Sequence, residues 1–253
     1  MIERIVNRKE VEKFFHKVED TLILTYLEGG VGVSYADSTS CPSSAAIYAC
    51  NLAFLAGEAN EELVKFAQEA VGNYIICMPS DEKWDKIVEK VYGERAKKYK
   101  CYKFKQDYSC FDKKRLEEIA ASLDDKYRIL PVDGQVYEKI ISYDWTEDLC
   151  RGYADAEEFE KKGFGFVLTE GEKIIAGSAS FSTCDQGVEV GVDVHPDYRG
   201  KGLSKIVAAK MVLETLNRGL WPHWDAHGEI SAAVAQSLGY VLEDVYYSYE
   251  IHI

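Results

Sequence analysis

The residues of this sequence that are best suited to bind an anion form the run Arg199-Gly200-Lys201-Gly202-Leu203-Ser204. The two glycines leave the backbone open to a phosphate, and Arg199 and Lys201 add positive charge. Apolar residues at helical spacing begin at Leu203, which places the run at the start of a predicted helix. The first N–H groups of a helix lack intrahelical partners and carry the positive end of its dipole. The pattern therefore predicts a site for phosphate at a helix N-terminus.

A strand is predicted directly before this run, because residues 188–194 alternate strictly between valine and other residues. The valines share one face, and Glu189, Gly191 and Asp193 lie on the other. Pro196 ends the strand, since proline has no N–H to donate to a sheet. Glu189 and Asp193 therefore project from the same face of the strand.

This strand, loop and helix resemble the fourth strand and the Q/R-x-x-G-x-G/A acyl-CoA loop of the GNAT superfamily of N-acetyltransferases. Ser204 departs from the usual glycine or alanine but is also small. Downstream, a predicted strand at residues 221–225, a helix at residues 229–238 and the sequence Leu238-Gly239-Tyr240 are similar to the closing segments of that family. The chain as a whole resembles bacterial GNAT acetyltransferases that carry an extra N-terminal half.

The resemblance implies an α/β (α+β) protein in which residues 126–253 form a GNAT domain with a mixed central sheet. Residues 1–125 are expected to form a smaller α/β domain, which is either a degenerate GNAT-like half or an unrelated one. The resemblance further implies acetyl-CoA as co-substrate, with no metal. The residues that it implies for acetyl-CoA binding are Val192, Asp193, Val194, Arg199, Gly200, Lys201, Gly202, Leu203, Ser204 and Ser231.

Glu189 is the first candidate for the general base, because it matches the strand position where many GNAT enzymes place a glutamate. Asp193 is the reserve. A backbone N–H near Gly191 to Asp193 is the implied donor to the oxyanion. No general acid is assigned, since Ala235 stands where family members often carry a tyrosine and Gly228 where an asparagine is expected. Tyr246, Tyr247 or bulk water are the alternatives.

The sequence His223-Trp224-Asp225-Ala226-His227 has the composition of a metal site. A strand that runs into a loop can bring the two histidines and Asp225 to one side. No cysteine or helix fixes the spacing, however, and the sequence favours ordinary polar residues at the end of a strand.

The N-terminal half shows alternating helices and strands that parallel the order in the second half. Residues 22–26 and 31–35 are predicted to form a hairpin through Gly29 and Gly30. The helix predicted from Asn60 follows the acidic run Gly57-Glu58-Ala59-Asn60, which repels phosphate. If the halves are related, only the second binds the cofactor; coincidence is the alternative, because such alternation is common in α/β chains.

The composition indicates a folded chain of 253 residues with a formal net charge of −13. Such acidity disfavours nucleic acid, whose phosphates require neutralisation by lysine and arginine, and favours a cationic acceptor. The seven cysteines include no C-x-x-C pair, and no apolar run is long enough to span a bilayer, so a cytoplasmic protein is predicted.

The sequence thus predicts transfer of an acetyl group from acetyl-CoA to a primary amine of a small, cationic acceptor by direct attack. Two alternatives are a non-catalytic GNAT-like protein that binds acyl-CoA or a partner, and aminoacyl transfer from tRNA. The net charge and the intact loop count against the tRNA hypothesis. The sequence does not specify the acceptor, the acyl chain length or the oligomeric state.

Overall fold

The structure is a computed structural model that describes residues 2–16 and 20–253, except for the side chains of residues 147 and 148. The chain divides into two compact units. The first comprises Met1–Cys101 and Val245–Ile253, and the second comprises Tyr102–Asp244. Within the described residues, no helix is both long and apolar enough to cross a lipid bilayer. The prediction that residues 126–253 form a separate domain stays a prediction.

The first unit is built on a sheet with the strand order β1-β2-β3-β4-β5-β13, in which β4 and β5 are parallel. Its elements are β1 (Glu3–Ile5), α1 (Lys9–Phe15), α2 (Thr21–Leu27), β2 (Val33–Ala36), β3 (Ser44–Ala49), β4 (Leu52–Gly57), α3 (Glu61–Val71), β5 (Tyr74–Pro79), α4 (Glu82–Tyr92), the first part of β6 (Ala96–Phe104) and, after the second unit, most of β13 (Leu242–His252). Helices α3 and α4 cover a core that contains the fully buried Trp84, Leu63 and Tyr249. The predicted α/β fold is confirmed, and the assignment of residues 1–125 to one domain stays a prediction.

The hairpin predicted for residues 22–35 is wrong, because the structure has a helix, α2, at Thr21–Leu27. The Asp20 carboxylate accepts hydrogen bonds from the N–H groups of Leu22 and Ile23 at 2.8 and 3.2 Å, which caps the helix. Gly29 and Gly30 donate back to the carbonyls of Tyr26 and Thr25. The glycines therefore close a helix, and the cap overrides the strand propensity of the apolar residues.

The second unit contains a five-stranded sheet with the order β11-β10-β9-β8-β7. Its elements are α5 (Lys113–Ala121), β7 (Tyr127–Pro131), α6 (Gly134–Ile141), α7 (Ala156–Lys162), β8 (Gly165–Glu170), β9 (Lys173–Cys184), β10 (Gly187–Val194), α8 (Leu203–Asn217), β11 (Trp221–His223), β12 (Ala226–His227) and α9 (Glu229–Leu238). Strands β7 to β10 are antiparallel, and β10 pairs with β11 in parallel. The predicted mixed sheet is confirmed.

The valine face of β10 packs as the alternation requires. Val188 and Val190 are buried, and the half-buried Val192 and Val194 pack on a core that includes Leu203 and Val207 of α8. The other face of the sheet is covered by α6, α7 and the short 3-10 helix Glu147–Cys150. Glu189, Gly191 and Asp193 alternate onto this second face.

A β-bulge interrupts the pairing of β9 with β10. Glu189 pairs with Ser182 and Val190 pairs with Ser180, so Phe181 is the extra residue on β9. Its carbonyl accepts a hydrogen bond from the N–H of Gly152 at 3.0 Å. Gly152 must be a glycine there, because a Cβ would lie 2.1 Å from that carbonyl oxygen. The bulge sets which β9 residue lies beside Glu189.

Candidate functional site

The N-terminus of α8 has the backbone conformation of an anion site. Gly200 and Gly202 both have a φ of +75°, and Gly202 is the N-cap residue with no side-chain hydrogen bond to the first turn. A Cβ at either position would meet no other atom within 4 Å. Glycine is therefore favoured there by the left-handed backbone conformation and not by a lack of space. The first N–H groups of α8 therefore face space that an anionic ligand can enter.

Basic side chains surround this loop. Arg199 is exposed, and its Nε donates to the carbonyl of Val194 at 3.2 Å. Lys201 and Lys173 place their Nζ atoms 4.4 and 5.1 Å from the centre of the Tyr198 ring. The Tyr198 hydroxyl donates to the Glu170 carboxylate, and this hydrogen bond raises the pKa of Tyr198 to about 12. The basic side chains around the loop are thus held by contacts with the Tyr198 ring and with the Val194 carbonyl.

Two of the predicted loop residues differ in what they can offer a ligand. The Leu203 side chain is buried in the core with Val207, so only its backbone is available. Ser204 is half-buried in the first turn of α8. The prediction of cofactor contacts for both residues stays a prediction.

One edge of β10 is open along half its length. β10 and β11 pair at only three positions, which end at Glu189 and His223. Within the described residues, no strand pairs with β10 on that side beyond Glu189. Beyond Glu189, an extended ligand can lie along this edge of β10 like an added strand.

The direction of the backbone groups in β10 follows from its pairing with β9. The His195 N–H donates to the Ile175 carbonyl at 2.9 Å, so the alternation of an antiparallel pair turns the Asp193 N–H toward β9 as well. By the same alternation, Val192 and Val194 direct their backbone groups toward the open edge. The Val192 N–H therefore lies within the predicted range for the oxyanion donor and faces that edge.

Glu189 lies where the pairing of the two strands ends. Its Oε1 accepts a hydrogen bond from the Asp225 N–H at 2.8 Å, so the carboxylate ties β10 to the chain that leaves β11. This bond explains why the strand predicted for residues 221–225 ends at His223. Beside the carboxylate lies Tyr240, whose pKa is raised well above its ordinary value by burial and by the negative charge of Glu189. Tyr240 donates its hydroxyl proton to the Pro222 carbonyl at 2.9 Å.

Two neighbours of Glu189 were not predicted from the sequence. Ser182 of β9 and His223 of β11 are its lateral partners in the sheet. His223 is 7% exposed, and the amide nitrogen of Gln106 lies 3.3 and 3.4 Å from its two ring nitrogens. In the sequence, His223 stands out only as part of the H-x-D-x-H pattern. Ser182 could not be identified as the partner of Glu189, because the bulge shifts the register of β9 by one residue.

The residues predicted in and beside α9 have structural contacts. Ser231, in the first turn of α9, accepts a hydrogen bond from Trp224 Nε1 at 3.0 Å. Its hydroxyl proton can still be donated to a ligand. Ala235 is fully buried, and Gly228 is the N-cap residue with a φ of +93°. Tyr246 and Tyr247 belong to β13 in the first unit.

The H-x-D-x-H segment does not form a compact ligand set. His223 ends β11, Asp225 follows it, and His227 ends β12. In the part of the chain that the structure describes, no group of three histidine, cysteine, aspartate or glutamate side chains is placed to hold a metal ion.

Comparison with known proteins identifies the family. The family model described as GNAT acetyltransferase matches residues 12–249. A GCN5-related N-acetyltransferase-like protein from Streptococcus suis is 34% identical, with a TM-score of 0.91 over 97% of this chain and 98% of its own. The uncharacterized N-acetyltransferase YdfB of Bacillus subtilis is 23% identical in an alignment 252 residues long, which covers 93% of this chain and 93% of its own.

A more distant structure shares the fold alone. A tandem GNAT protein from the clavulanic acid biosynthesis pathway is 10% identical, with a TM-score of 0.54 over 100% of this chain and 98% of its own. The matched family model spans both units of the present chain. The family predicted from the loop, the strand and the Leu-Gly-aromatic sequence is confirmed, and the chain belongs to the GNAT acetyltransferase family.

Proposed function

We propose that the protein transfers an acetyl group from acetyl-CoA to a primary amine of a small, cationic acceptor by direct attack. The observation that carries this proposal is the uncapped N-terminus of α8, with two left-handed glycines, next to the open edge of β10. The first feature suits a pyrophosphate and the second suits the extended arm of a coenzyme A thioester.

Each part of the site has a proposed role. Arg199, Lys201 and the N–H groups after Gly202 hold the pyrophosphate, and the open edge of Val192 and Val194 receives the pantetheine arm. When bound, acetyl-CoA supplies the thioester carbonyl that the amine attacks. The Val192 N–H donates to the oxygen of that carbonyl. Ser204 and Ser231 are further proposed contacts of the coenzyme.

Glu189 is the proposed general base. Its carboxylate accepts a proton from the acceptor ammonium and so produces the neutral amine that can attack. The hydrogen bond from the Asp225 N–H to Oε1 fixes the position of the carboxylate. Asp193, on the same face of β10, is the reserve. The net charge of −13 favours the approach of a cationic acceptor.

The test compares two aspartate substitutions in calorimetric titrations with acetyl-CoA. Gly202→Asp places a carboxylate where the pyrophosphate is expected, and we expect affinity to fall at least 100-fold. Gly219→Asp is the matched control, because Gly219 also has a φ of +75° with nothing within 4 Å of a Cβ but follows the other end of α8. Both variants carry the same backbone strain and the same added charge.

Equal affinity of Gly202→Asp and wild type would refute the proposed site. An absence of acetyl-CoA binding by folded wild type would refute the acetyltransferase function. The alternative, a non-catalytic protein that binds acyl-CoA, predicts tight binding without acetylation of any member of a panel of primary amines. Retention of RNA at low salt would favour the tRNA-dependent alternative.

A further inference from the structure

Three polar residues form a lateral row across the sheet of the second unit, at the place where the pairing of β10 with β11 ends. Ser182 on β9, Glu189 on β10 and His223 on β11 are direct register partners. Lateral partners in a sheet project their side chains from the same face, with Cβ atoms about 5 Å apart across an antiparallel pair. The proposed base therefore lies between a hydroxyl and an imidazole.

Ser182 has a buried hydroxyl group whose hydrogen bonding is not satisfied by the described residues. Its side chain is fully buried, and its hydroxyl oxygen makes no hydrogen bond to any residue that the structure describes. Buried hydroxyls nearly always have a partner, often an ordered water molecule. A water molecule between this hydroxyl and the Glu189 carboxylate would supply that partner.

The His223 ring is held in a nearly buried position beside Glu189. Its ring lies against β10 because residue 187 is a glycine: a Cβ there would be 2.9 Å from the ring Cδ2 and 2.3 Å from the Trp221 carbonyl oxygen. The Gln106 amide contacts the other side of the ring. An imidazole that is 7% exposed and beside a carboxylate is suited to exchange a proton with it.

We propose that His223 and Ser182 are positioning residues that act on the reaction through Glu189. This inference rests on the proposed function. Glu189 takes one proton from the acceptor ammonium, and His223 receives that proton from Glu189 and releases it to solvent. Ser182 donates its hydroxyl proton to a water molecule that is hydrogen-bonded to Glu189. The nitrogen loses its second proton to the departing thiolate, which leaves as the thiol of coenzyme A.

The first experiment separates binding from turnover in His223→Gln. Glutamine keeps hydrogen-bonding capacity toward Gln106 but cannot take up a proton at neutral pH. We expect kcat to fall 10- to 100-fold while the Kd for acetyl-CoA stays within twofold of wild type. His252→Gln is the control, because His252 is exposed and stacks on Tyr74 in the first unit.

An unchanged kcat in His223→Gln, with an active wild type, would overturn this inference and leave the proposed function intact. A wild type without acetylation activity would instead overturn the proposed function. The coupling between the two side chains can still be measured in that case, by NMR titration of the histidine rings.

The NMR titration compares wild type with Glu189→Gln, and we expect the pKa of His223 to fall by at least half a unit when the carboxylate is neutralised. Asp225 and Tyr240, the other titratable residues that contact or face Glu189, are unchanged in this comparison. Equal values in the two proteins would overturn the inference.

Ser182→Ala tests the remaining member of the row. If the Ser182 hydroxyl had no partner at all, its removal would leave kcat unchanged and would not lower Tm. We expect kcat to fall three- to tenfold with the Kd for acetyl-CoA unchanged, because the water molecule that orients Glu189 is lost. Unchanged turnover in Ser182→Ala would overturn the role proposed for Ser182.

Discussion

Glu189 combines two roles in one side chain, and a single substitution distinguishes them. The hydrogen bond between its Oε1 and the Asp225 N–H ties two strands together, and its charge serves the proposed proton transfer. Glutamine retains the oxygen that accepts the hydrogen bond but lacks a basic carboxylate. The structural role should therefore survive in Glu189→Gln, whereas the chemical role should not.

We predict that Glu189→Gln lowers kcat by about 100- to 1000-fold while leaving Tm and the Kd for acetyl-CoA unchanged. Steady-state kinetics, calorimetry and thermal unfolding of the one variant measure all three. Asp193→Asn is the matched comparison, since it removes a carboxylate from the same face of β10. A larger kcat loss in Asp193→Asn than in Glu189→Gln would transfer the base to Asp193.

Asp37 makes the stability of the first unit depend on pH. Partial burial raises the pKa of its carboxyl, but hydrogen bonds from the Ser43 and Ser44 N–H groups and from the Ser43 hydroxyl outweigh it and hold the pKa below 3.8. A lowered pKa stabilises the folded state at pH values above the unfolded pKa. That contribution is lost as the pH falls through the folded pKa.

Asp37→Asn should therefore lower the free energy of unfolding at pH 7 by about 1 kcal/mol. The difference from wild type should shrink as the pH falls below 4, because the wild-type carboxyl becomes protonated. Urea unfolding at several pH values measures it. A difference that stays constant between pH 7 and pH 3 would show that the charge of Asp37 contributes nothing.

At the scale of elements, the site depends on how β10 and β11 meet. They pair over three positions, of which Gly187 is the first, and the pairing ends at Glu189 and His223. A side chain at residue 187 would press on the Trp221 carbonyl at 2.3 Å, which the backbone of β11 cannot avoid without moving. The pairing of β10 with β11 thus requires a residue without a side chain at position 187.

We predict that Gly187→Ala lowers the free energy of unfolding by about 2 kcal/mol, because overpacking against backbone forces the strands apart. Gly191→Ala is the matched control on the same strand, since its nearest Cβ contact is an ordinary 3.5 Å. Chemical denaturation of both variants gives the comparison. Equal stability of the two variants would contradict the close approach at Gly187.

Prediction from sequence succeeded at this scale where local patterns decide the structure. The valine alternation predicted β10, and the helical spacing from Leu203 predicted α8. The sequence did not predict the row of Ser182, Glu189 and His223, because this row depends on a one-residue bulge and on pairing between residues 34 positions apart. The hairpin predicted in the first unit failed because one aspartate cap outweighed the propensity of the residues after it.

At the scale of the whole molecule, both units contain the order β-α-α-β-β-β-α-β-α, to which the second unit adds α5 and β12. Among the described residues, the features of an anion site occur at α8 and not at α3. Helix α3 is capped by the Asn60 side chain, which accepts from the Glu62 N–H at 2.9 Å, and its first turn carries Glu61 and Glu62. β4 and β5 pair at four positions. The acidic run predicted to repel phosphate does lie at the start of α3.

We therefore predict that each chain binds one molecule of acetyl-CoA. Calorimetry or native mass spectrometry of the full chain should give a stoichiometry of one, and Gly202→Asp should remove that single event. A stoichiometry of two in wild type, or one remaining site of similar affinity in Gly202→Asp, would assign coenzyme binding to the first unit as well.

The open edge of β10 also bears on how the protein behaves in storage. Unpaired strand edges are templates on which other chains add and from which aggregates grow. A coenzyme bound along Val192 and Val194, as proposed, would cover this edge, so we expect the ligand-free protein to self-associate more readily than the protein with bound coenzyme. Solutions kept with acetyl-CoA should therefore stay clear for longer than solutions without it.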